Sequence, residues 1–428
     1  MRYSRPRGTR DFLPGEMALR RAVEQKMRSV FIRYGYTEVA TPTFEHLELI
    51  TAKSGEEILA HLYHFKDKSG RDLALRPELT APVMRLYVNQ LQNSPKPLRL
   101  YYFGNCFRYE RPQAGRYREF WQAGVELIGP ASPEAQAEVI ALADAVLREL
   151  GLRNYELHIG SVGVLRKFLA ERGIAEEEQC RIMGIIDKGD RELLEEELLK
   201  LGLSQEERST IAGVLELTGG RDAVLSKARE LLGERRAALE ELLSLEEILD
   251  ALESFGVKYS LNLGIARGLD YYTGMVFEIY APKLGAEKQI CGGGSYSLAE
   301  TFGGKPVATS GFAFGFDRIM LALQKEGVEL RGEEGVQVMV IPFGEEYLPK
   351  AVEIASALRR SLACELEVMR RRVKRALSYA SSKGVPFVVL VGEETARGRV
   401  LLKHMRSGEQ REVEIDRLEE LLLEEAGV

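Results

Sequence analysis

Closely spaced cysteines are missing from this sequence. Its four cysteines lie more than seventy positions apart, at Cys106, Cys180, Cys291 and Cys364. Zinc sites and redox dithiols are built from cysteines separated by a few residues. The sequence therefore predicts no metal site of this kind and no redox dithiol, and we expect reduced, mostly buried thiols.

Long apolar runs and an excess of positive charge are missing as well. No run of eighteen apolar residues occurs, and the basic residues 1–11 are followed by no apolar signal core. We therefore expect no membrane contact and a cytoplasmic location. The formal net charge of −6 at pH 7 argues against indiscriminate nucleic-acid binding. A local basic surface for one specific RNA is compatible with that charge.

The length and composition of the chain predict several globular domains. At 428 residues the chain exceeds what one hydrophobic core usually organises, so we expect two or three domains. From about 162 to 255, Leu, Glu, Lys and Arg dominate at helical spacing, which indicates a separate helical module with solvated charged faces. A Gly/Glu/Arg-rich linker at 327–335 precedes strands that alternate with helices and end in an edge hairpin. That pattern predicts a small α/β domain with a largely parallel sheet.

The central stretch predicts a long antiparallel hairpin with unusual chemistry. Two strand-like runs, Leu98 to Arg108 and Phe120 to Ile128, flank a turn at residues 112–115. The hairpin carries arginines, aromatic residues and acids: Arg108, Arg111, Arg116, Arg118, Tyr109, Tyr117, Phe120, Trp121, Glu110, Glu119 and Glu126. Guanidinium forks beside aromatic faces suit a polyphosphate that carries a stackable base. A charged hairpin that is stabilised by surface ion pairs would explain these residues equally well.

The segment LRPELT, residues 75–80, places an acid and a hydroxyl directly after a proline. Glu78 and Thr80 could clamp an ammonium group, since both accept hydrogen bonds from it. The alternative is a helix start at which the helix dipole favours Glu78.

Three later segments also combine polar groups with strand-like patterns. Residues 261–282 contain a polar island, Arg267 with Asp270, Tyr271 and Tyr272, which costs free energy to bury and therefore more often faces a site. The glycine triplet at 292–294 fits either a flexible turn or a close approach of ligand to backbone. In GFAFGFDR, residues 311–318, glycines precede an arginine at a helix start, which suits a phosphate or a nucleotide.

These segments together resemble the histidyl-tRNA synthetases, a class II aminoacyl-tRNA synthetase family. FRYERPQAGRYREFWQ resembles motif 2, the helix, strand and proline that end in TPTFE at 41–45 resemble motif 1, and GFAFGFDR resembles motif 3. ARGLDYYTG resembles the first histidine signature, and GGGSYS the second, with Ser295 and Ser297 replacing the usual Arg and Asp. All five occur in the expected order over residues 1 to about 325, which is far more specific than any one of them.

The resemblance implies an α+β fold, with an antiparallel sheet flanked by helices, a helical insertion and a C-terminal α/β domain. The implied domains are a catalytic domain in two parts, 1–161 and 256–327, an insertion at 162–255 that contacts the tRNA acceptor arm, and an anticodon-binding domain at 336–428. The implied activity is histidyl-tRNA synthesis from histidine, ATP with Mg²⁺, and tRNA(His), by a homodimer. The alternative is the catalytically silent paralogue that serves as regulatory subunit of ATP phosphoribosyltransferase. That paralogue usually lacks the signature arginine and the C-terminal domain, whereas this chain has Arg267 and residues 336–428.

Roles for individual residues follow from the same resemblance. Catalytic contacts to the α-phosphate are implied for Arg108 and Arg267. The implied ATP contacts are Arg108, Glu110, Arg116, Phe120 and Arg318. The implied histidine contacts are Glu78, Thr80, Gln122, Glu126, Arg267, Tyr271, Tyr272 and Tyr296. Candidate tRNA contacts are Arg118 and the basic run Arg370, Arg371 and Arg372, where the family usually has Gly- and Asn-rich residues.

Overall fold

The computed structural model describes residues 3–52, 56–111, 115–266, 271–330, 332 and 335–426. Two compact units divide the chain, residues 1–330 and residues 331–428. Within the described ranges, no helix combines the length and apolar character needed to cross a bilayer. The finer division of the first unit into catalytic parts and an insertion stays a prediction.

The first unit is built on one large sheet. Its strands are β1 Thr37–Glu38, β2 Phe44–His46, β3 His64–Lys66, β4 Asp72–Leu75, β5 Leu98–Phe107, β6 Glu119–Gly129, β7 Glu156–Ser161, β8 Thr218–Gly219, β9 Ser260–Asn262, β10 Tyr272–Tyr280, β11 Gln289–Tyr296 and β12 Ala308–Gly315. The large sheet has the strand order β1-β5-β6-β12-β11-β10-β7-β9-β8, and β2, β4 and β3 form a small separate sheet. Neighbours in the large sheet run antiparallel except for the pairs β1–β5 and β7–β9. The predicted hairpin is therefore present as β5 and β6.

The first unit also contains helices. They are α1 Pro14–Arg33, α2 Leu47–Thr51, α3 Thr80–Leu86, α4 Pro133–Leu150, α5 Val162–Glu171, α6 Glu176–Lys188, α7 Arg191–Lys200, α8 Gln205–Leu215, α9 Arg221–Leu232, α10 Arg236–Ser254 and α11 Phe316–Glu326. Short 3₁₀ turns lie at Glu56–His61, Pro282–Glu287 and Glu300–Phe302, and a π turn at Tyr87–Leu91 extends α3. Helix α4 packs on β11 and β12, and α1 and α10 pack beside α4.

Helix α4 shows how the sequence sets these boundaries. Ser132 caps its N-terminus by accepting a hydrogen bond from the Ala135 backbone N–H at 3.4 Å, and Pro133 occupies the first turn, where no backbone N–H is needed. Gly151 ends the helix with φ at +83°. Buried alanine, valine, isoleucine and leucine side chains of α4 join the core beneath the sheet. The helix thereby fixes the strands that line the site.

The second unit is the predicted α/β domain. Its strands are β13 Val338–Pro342, β14 Cys364–Leu366, β15 Phe387–Val391, β16 Arg399–His404 and β17 Gln410–Glu414, and its helices are α12 Leu348–Leu358, α13 Val373–Ser382 and α14 Ile415–Ala426. The strand order is β14-β13-β15-β16-β17, with β14, β13 and β15 parallel and β16–β17 as the antiparallel edge hairpin. Val338 and Val340 face one core, while Met339 and Ile341 face another on the opposite side of the sheet. Helix α14, which the sequence analysis did not predict, packs into the first of these cores.

Candidate functional site

Three neighbouring cavities in the first unit share one residue, Arg108. We call them the inner pocket, of about 60 Å³, the outer cavity, of about 520 Å³, and the side cavity, of about 320 Å³. The guanidinium of Arg108 is held by a hydrogen bond from Nε to the Pro77 carbonyl at 2.9 Å, and Cζ lies 5.2 Å from the Phe120 ring centroid. A fixed cation thus stands where the three cavities meet.

Glu126 forms the acidic floor of the inner pocket. It lies in the middle of β6, opposite Leu100 on β5 and Gly311 on β12, and only 1% of it is exposed. Its carboxylate accepts hydrogen bonds from the hydroxyls of Tyr102, at 3.1 Å, and Tyr296. Burial raises the pKa of Glu126 to about 8, even though these hydrogen bonds act to lower it. Burial at this position therefore favours the neutral form of the Glu126 carboxyl over the charged form.

Glycine opposite Glu126 leaves the space that this carboxylate needs. A Cβ at Gly311 would lie 1.9 Å from Glu126 Oε2 and 2.5 Å from the Val125 carbonyl oxygen. Gly311 in turn pairs with Gly294 on β11. The glycine triplet at 292–294 therefore lies inside a paired strand, so the alternative of a flexible turn is wrong. Gly293 and Gly294 allow side chains from β10 and β12 to lie close to the β11 backbone, namely Tyr272, Phe277 and Phe312.

Three tyrosines wall the inner pocket. Tyr271, Tyr272 and Tyr296 are each less than 10% exposed, and their ring centroids lie 4.8 to 6.1 Å apart. Such offset and edge-on contacts hold the rings in fixed orientations. The pocket is consequently a preformed, largely aromatic box with Glu126 at its base.

Glu78 stands on the other side of the inner pocket, at the start of α3. Its carboxylate accepts hydrogen bonds from the backbone N–H groups of Thr80 and Ala81, the latter at 2.9 Å. The helix start predicted as the alternative for this segment is present. Burial raises the pKa of Glu78, although the backbone donors and Arg108 act to lower it. The same carboxylate lines the inner pocket and the side cavity, so capping the helix leaves it facing both.

The outer cavity gathers the basic and aromatic residues of the hairpin with α11. Arg108, Glu110, Arg116, Phe120, Gln122 and Arg318 all line it. Arg116 pairs with Glu110, and Arg318 donates to the backbone carbonyls of Gly115 at 3.1 Å and Gln289 at 2.8 Å. Burial acts to raise the pKa of Glu110, but the net pKa is lowered by the hydrogen bond from Arg116 and the charges of Arg108 and Arg116. The cavity is cationic and carries an aromatic ring, as a nucleotide requires.

Tyr102 and Asp187 are among the residues in or beside these cavities that the sequence analysis missed. Tyr102, on β5, donates to Glu126 and contacts Thr80 Oγ1 at 3.5 Å. Asp187, near the end of α6, lines both the outer and the side cavity. Strand alternation places Tyr102 on the same face as Glu126 and could have found it. Nothing local marks Asp187, because helix packing alone brings it there.

The predicted residues that remain are Arg267 and the candidate tRNA contacts. Arg267 falls in 267–270, outside the described residues. The side chain of Arg118 is held in the first unit, where Nε donates to the Glu110 carbonyl at 3.2 Å and Cζ lies 4.0 Å from the Tyr109 ring centroid. In the second unit, Arg371 pairs with the buried Glu367 at 2.8 Å.

The neighbours of Arg371 complete the basic run. Arg370 pairs with Glu345 at 2.8 Å, and its φ is +53°, in the left-handed region. Arg372 is exposed at the start of α13.

Comparisons with known proteins show which family this chain is similar to. The family model described as histidyl-tRNA synthetase matches residues 8–319, and the model described as anticodon binding domain matches 337–425. A histidine–tRNA ligase of Archaeoglobus fulgidus is 52% identical over 96% of this chain and 97% of its own length. The solved histidyl-tRNA synthetase of Nostoc sp. is 26% identical, with a TM-score of 0.78, over 99% of this chain and all of that one. A structure from Bacillus halodurans, described as an ATP phosphoribosyltransferase regulatory subunit/histidyl-tRNA synthetase, is 30% identical, with a TM-score of 0.74, over 89% of this chain and 97% of its own.

Proposed function

We propose, since the chain belongs to the histidyl-tRNA synthetase family and is an aminoacyl-tRNA ligase of that specificity, that the inner pocket binds histidine and the outer cavity binds ATP. The observation that carries this assignment is the junction at Arg108. A closed aromatic pocket with two buried carboxyls opens there into a cationic cavity of nucleotide size. The carboxylate of a bound amino acid would lie at that junction, beside the α-phosphate.

Histidine is held at both ends in this proposal. Its ammonium group meets Glu78, Thr80 and Gln122, which present oxygen acceptors. Its imidazole meets Glu126 and the rings of Tyr271, Tyr272 and Tyr296. Because Glu126 is buried, a side chain without a ring nitrogen would offer it no hydrogen bond to add to those from Tyr102 and Tyr296, which gives discrimination of roughly 10⁴-fold or more.

ATP occupies the outer cavity with its base stacked on Phe120 and its edge near Glu110. Arg116 and Arg318 hold the outer phosphates, while Arg108 and Arg267 contact the α-phosphate. Bidentate guanidinium groups suit this purpose because they match phosphate geometry and stay charged.

The reaction then proceeds in two displacements. A histidine carboxylate oxygen attacks the α-phosphate in line, and the bond to the β-phosphate breaks to release pyrophosphate. The terminal ribose hydroxyl of tRNA(His) next attacks the carbonyl carbon of histidyl-adenylate, and AMP leaves. The protein contributes positioning and fixed cations where negative charge develops, and it forms no covalent intermediate.

Mg²⁺ fits this cavity as an ion that the nucleotide brings. Among the described residues, no group of three His, Cys, Asp or Glu side chains converges on a metal position. Mg²⁺ commonly keeps several waters and uses one or two carboxylates beside phosphate oxygens, and Asp187 lines the outer cavity. That carboxylate would hold the ion, whose chemistry is to neutralise phosphate charge.

The tRNA contacts and the assembly are further parts of the proposal. The basic run 370–372 contacts the anticodon arm and the helices of 162–255 approach the acceptor arm, while two copies associate through the motif 1 region as a cytoplasmic homodimer. The regulatory-subunit alternative has less support, because a model described as anticodon binding domain matches 337–425 and the curated relatives are histidine–tRNA ligases.

Two substitutions test the assignment of the two cavities. In histidine-dependent exchange of pyrophosphate with ATP, Glu78→Gln should raise the KM for histidine by about tenfold or more and leave the KM for ATP near native. Arg318→Lys should do the reverse, because a single ammonium replaces a planar fork. If both variants raised the same KM, the two-cavity assignment would be wrong.

A further inference from the structure

The segment before α1 lies against the nucleotide side of the site. In this segment, residues 6–13, which we call the N-terminal arm, the Gly8 carbonyl accepts a hydrogen bond from the Arg118 backbone N–H at 2.9 Å. Gly8 has φ at +87°, and a Cβ there would lie 2.7 Å from the Arg118 side chain. Only glycine therefore allows the arm to lie this close to the hairpin.

Arg10 ties the arm to two residues of the outer cavity. Its Nη2 donates to Asp317 Oδ1 at 2.6 Å, and its Cζ lies 3.4 Å from the centroid of the Tyr117 ring. Asp317 and Tyr117 both line the outer cavity, whereas Arg10 does not. Arg10, which lies 307 positions away from Asp317 in the chain, thus supports two residues that line the cavity.

Asp317 is the centre of a buried network. It is 5% exposed, and besides Arg10 it accepts hydrogen bonds from Arg20 Nη1 at 2.7 Å and from the Trp121 backbone N–H at 2.9 Å. These bonds connect the hairpin strand that carries Phe120 to the helix start that carries Arg318. Both halves of the outer cavity therefore depend on the orientation of one carboxylate.

The network carries an excess of positive charge. Two guanidinium groups share the single carboxylate of Asp317, and among the described residues neither Arg10 Nε nor Arg20 Nη2 has a hydrogen-bond partner. A charge that is kept out of water acts over a longer range than a solvated one. The surplus positive charge lies within hydrogen-bond distance of Asp317, which lines the outer cavity, so it favours a polyanion there.

We propose that Arg10 is a positioning residue for ATP, acting through Asp317 and Tyr117 on the arginines of the outer cavity. The inference rests on the proposed function of that cavity. Arg10 orients Tyr117 by stacking and Asp317 by a charge-assisted hydrogen bond, so its loss loosens the hairpin and α11 at the same time. The inner pocket uses neither contact and keeps its affinity for histidine.

The test compares three variants of the full chain. Arg10→Ala removes both contacts, Arg10→Lys keeps the charge but loses the planar stack, and Arg7→Ala removes an exposed cation from the same arm as a matched control. ATP binding is followed by the fluorescence of Trp121, the single tryptophan of the chain, which lines the outer cavity. Histidine-dependent pyrophosphate exchange gives the KM for each substrate.

Arg10→Ala should weaken ATP binding by about tenfold in both measurements, as expected for one lost charge-assisted hydrogen bond, with the KM for histidine within about twofold of native. Arg10→Lys should fall between Arg10→Ala and the native chain, and Arg7→Ala should match the native chain. Native ATP affinity in Arg10→Ala would overturn the inference, and so would equal rises in both KM values, which indicate a purely structural role. If Arg10→Ala does not fold, Arg10→Lys is judged by the same criteria.

Failure of the proposed function gives a different result. In that case the native chain would show no histidine-dependent exchange, while the fluorescence titration would still report whether ATP binding depends on Arg10. If the native chain shows histidine-dependent exchange and Arg10→Ala binds ATP as tightly as the native chain, the inference is overturned and the proposed function is not.

Discussion

Glu126→Gln tests whether burial raises the pKa of the carboxyl group in the inner pocket. Burial raises the pKa of Glu126 from 4.5 to about 8. At ~1.36 kcal/mol per pH unit, that difference corresponds to roughly 5 kcal/mol of unfolding free energy. The folded chain binds the proton of the Glu126 carboxyl more tightly than the unfolded chain does. The stability that this proton contributes is therefore fully present below pH 4.5 and is lost as the pH rises to about 8. Glutamine, which does not titrate, removes this dependence.

The assay is denaturant unfolding of the first unit, followed by Trp121 fluorescence from pH 5.5 to 8. Over that range the native chain should lose about 3 kcal/mol more stability than Glu126→Gln, since the interval covers about 2.5 pH units at ~1.36 kcal/mol each. Glu134→Gln, which changes an exposed carboxyl on α4, should parallel the native chain. Parallel curves for the native chain and Glu126→Gln would refute the reasoning, because burial would then not raise the pKa of Glu126.

Two further substitutions probe the site and the second unit. Gly311→Ala would place a methyl group against Glu126 Oε2. We therefore expect a destabilisation of about 1–3 kcal/mol and histidine-dependent exchange that is weaker by at least about tenfold. The control is Gly184→Ala, on α6 with open space around it, which should retain native exchange. Glu367→Gln would weaken a buried acceptor of the Met369 backbone N–H and the Arg371 guanidinium. We expect a several-fold higher KM for tRNA in aminoacylation, about the effect of one charged hydrogen bond, with exchange unchanged; a native KM for tRNA would contradict it.

Local patterns were enough to predict most of the fold. Apolar spacing and turn residues predicted the β5–β6 hairpin, the helical stretch from about 162 to 255 and the alternating second unit. Helix α14 was missed because it begins at Ile415, directly after β17, with no turn residue to mark the change. The glycines of β11 fitted two interpretations because a glycine triplet carries no side chain that reports its pairing.

The site was harder to predict where its contacts depend on packing. Glu78 and Glu126 were singled out because the family resemblance implies histidine contacts for them. Asp317 belongs to motif 3, but its bond to Arg10 spans 307 positions, and no local pattern predicts such a distant pair. Asp187 reaches the cavities only because α6 packs beside them. Most of the predicted site residues that the structure describes thus line the cavities, and the structure adds groups that hold them in place.

Pyrophosphate exchange with ATP in the absence of tRNA tests the central claim most directly. The native chain should exchange only when histidine is present, because the inner pocket must supply the attacking carboxylate. Arg267→Ala should abolish most of that exchange, since the arginine is proposed to contact the reacting phosphate. No exchange from folded protein that binds histidine would contradict formation of histidyl-adenylate at the junction of the two cavities.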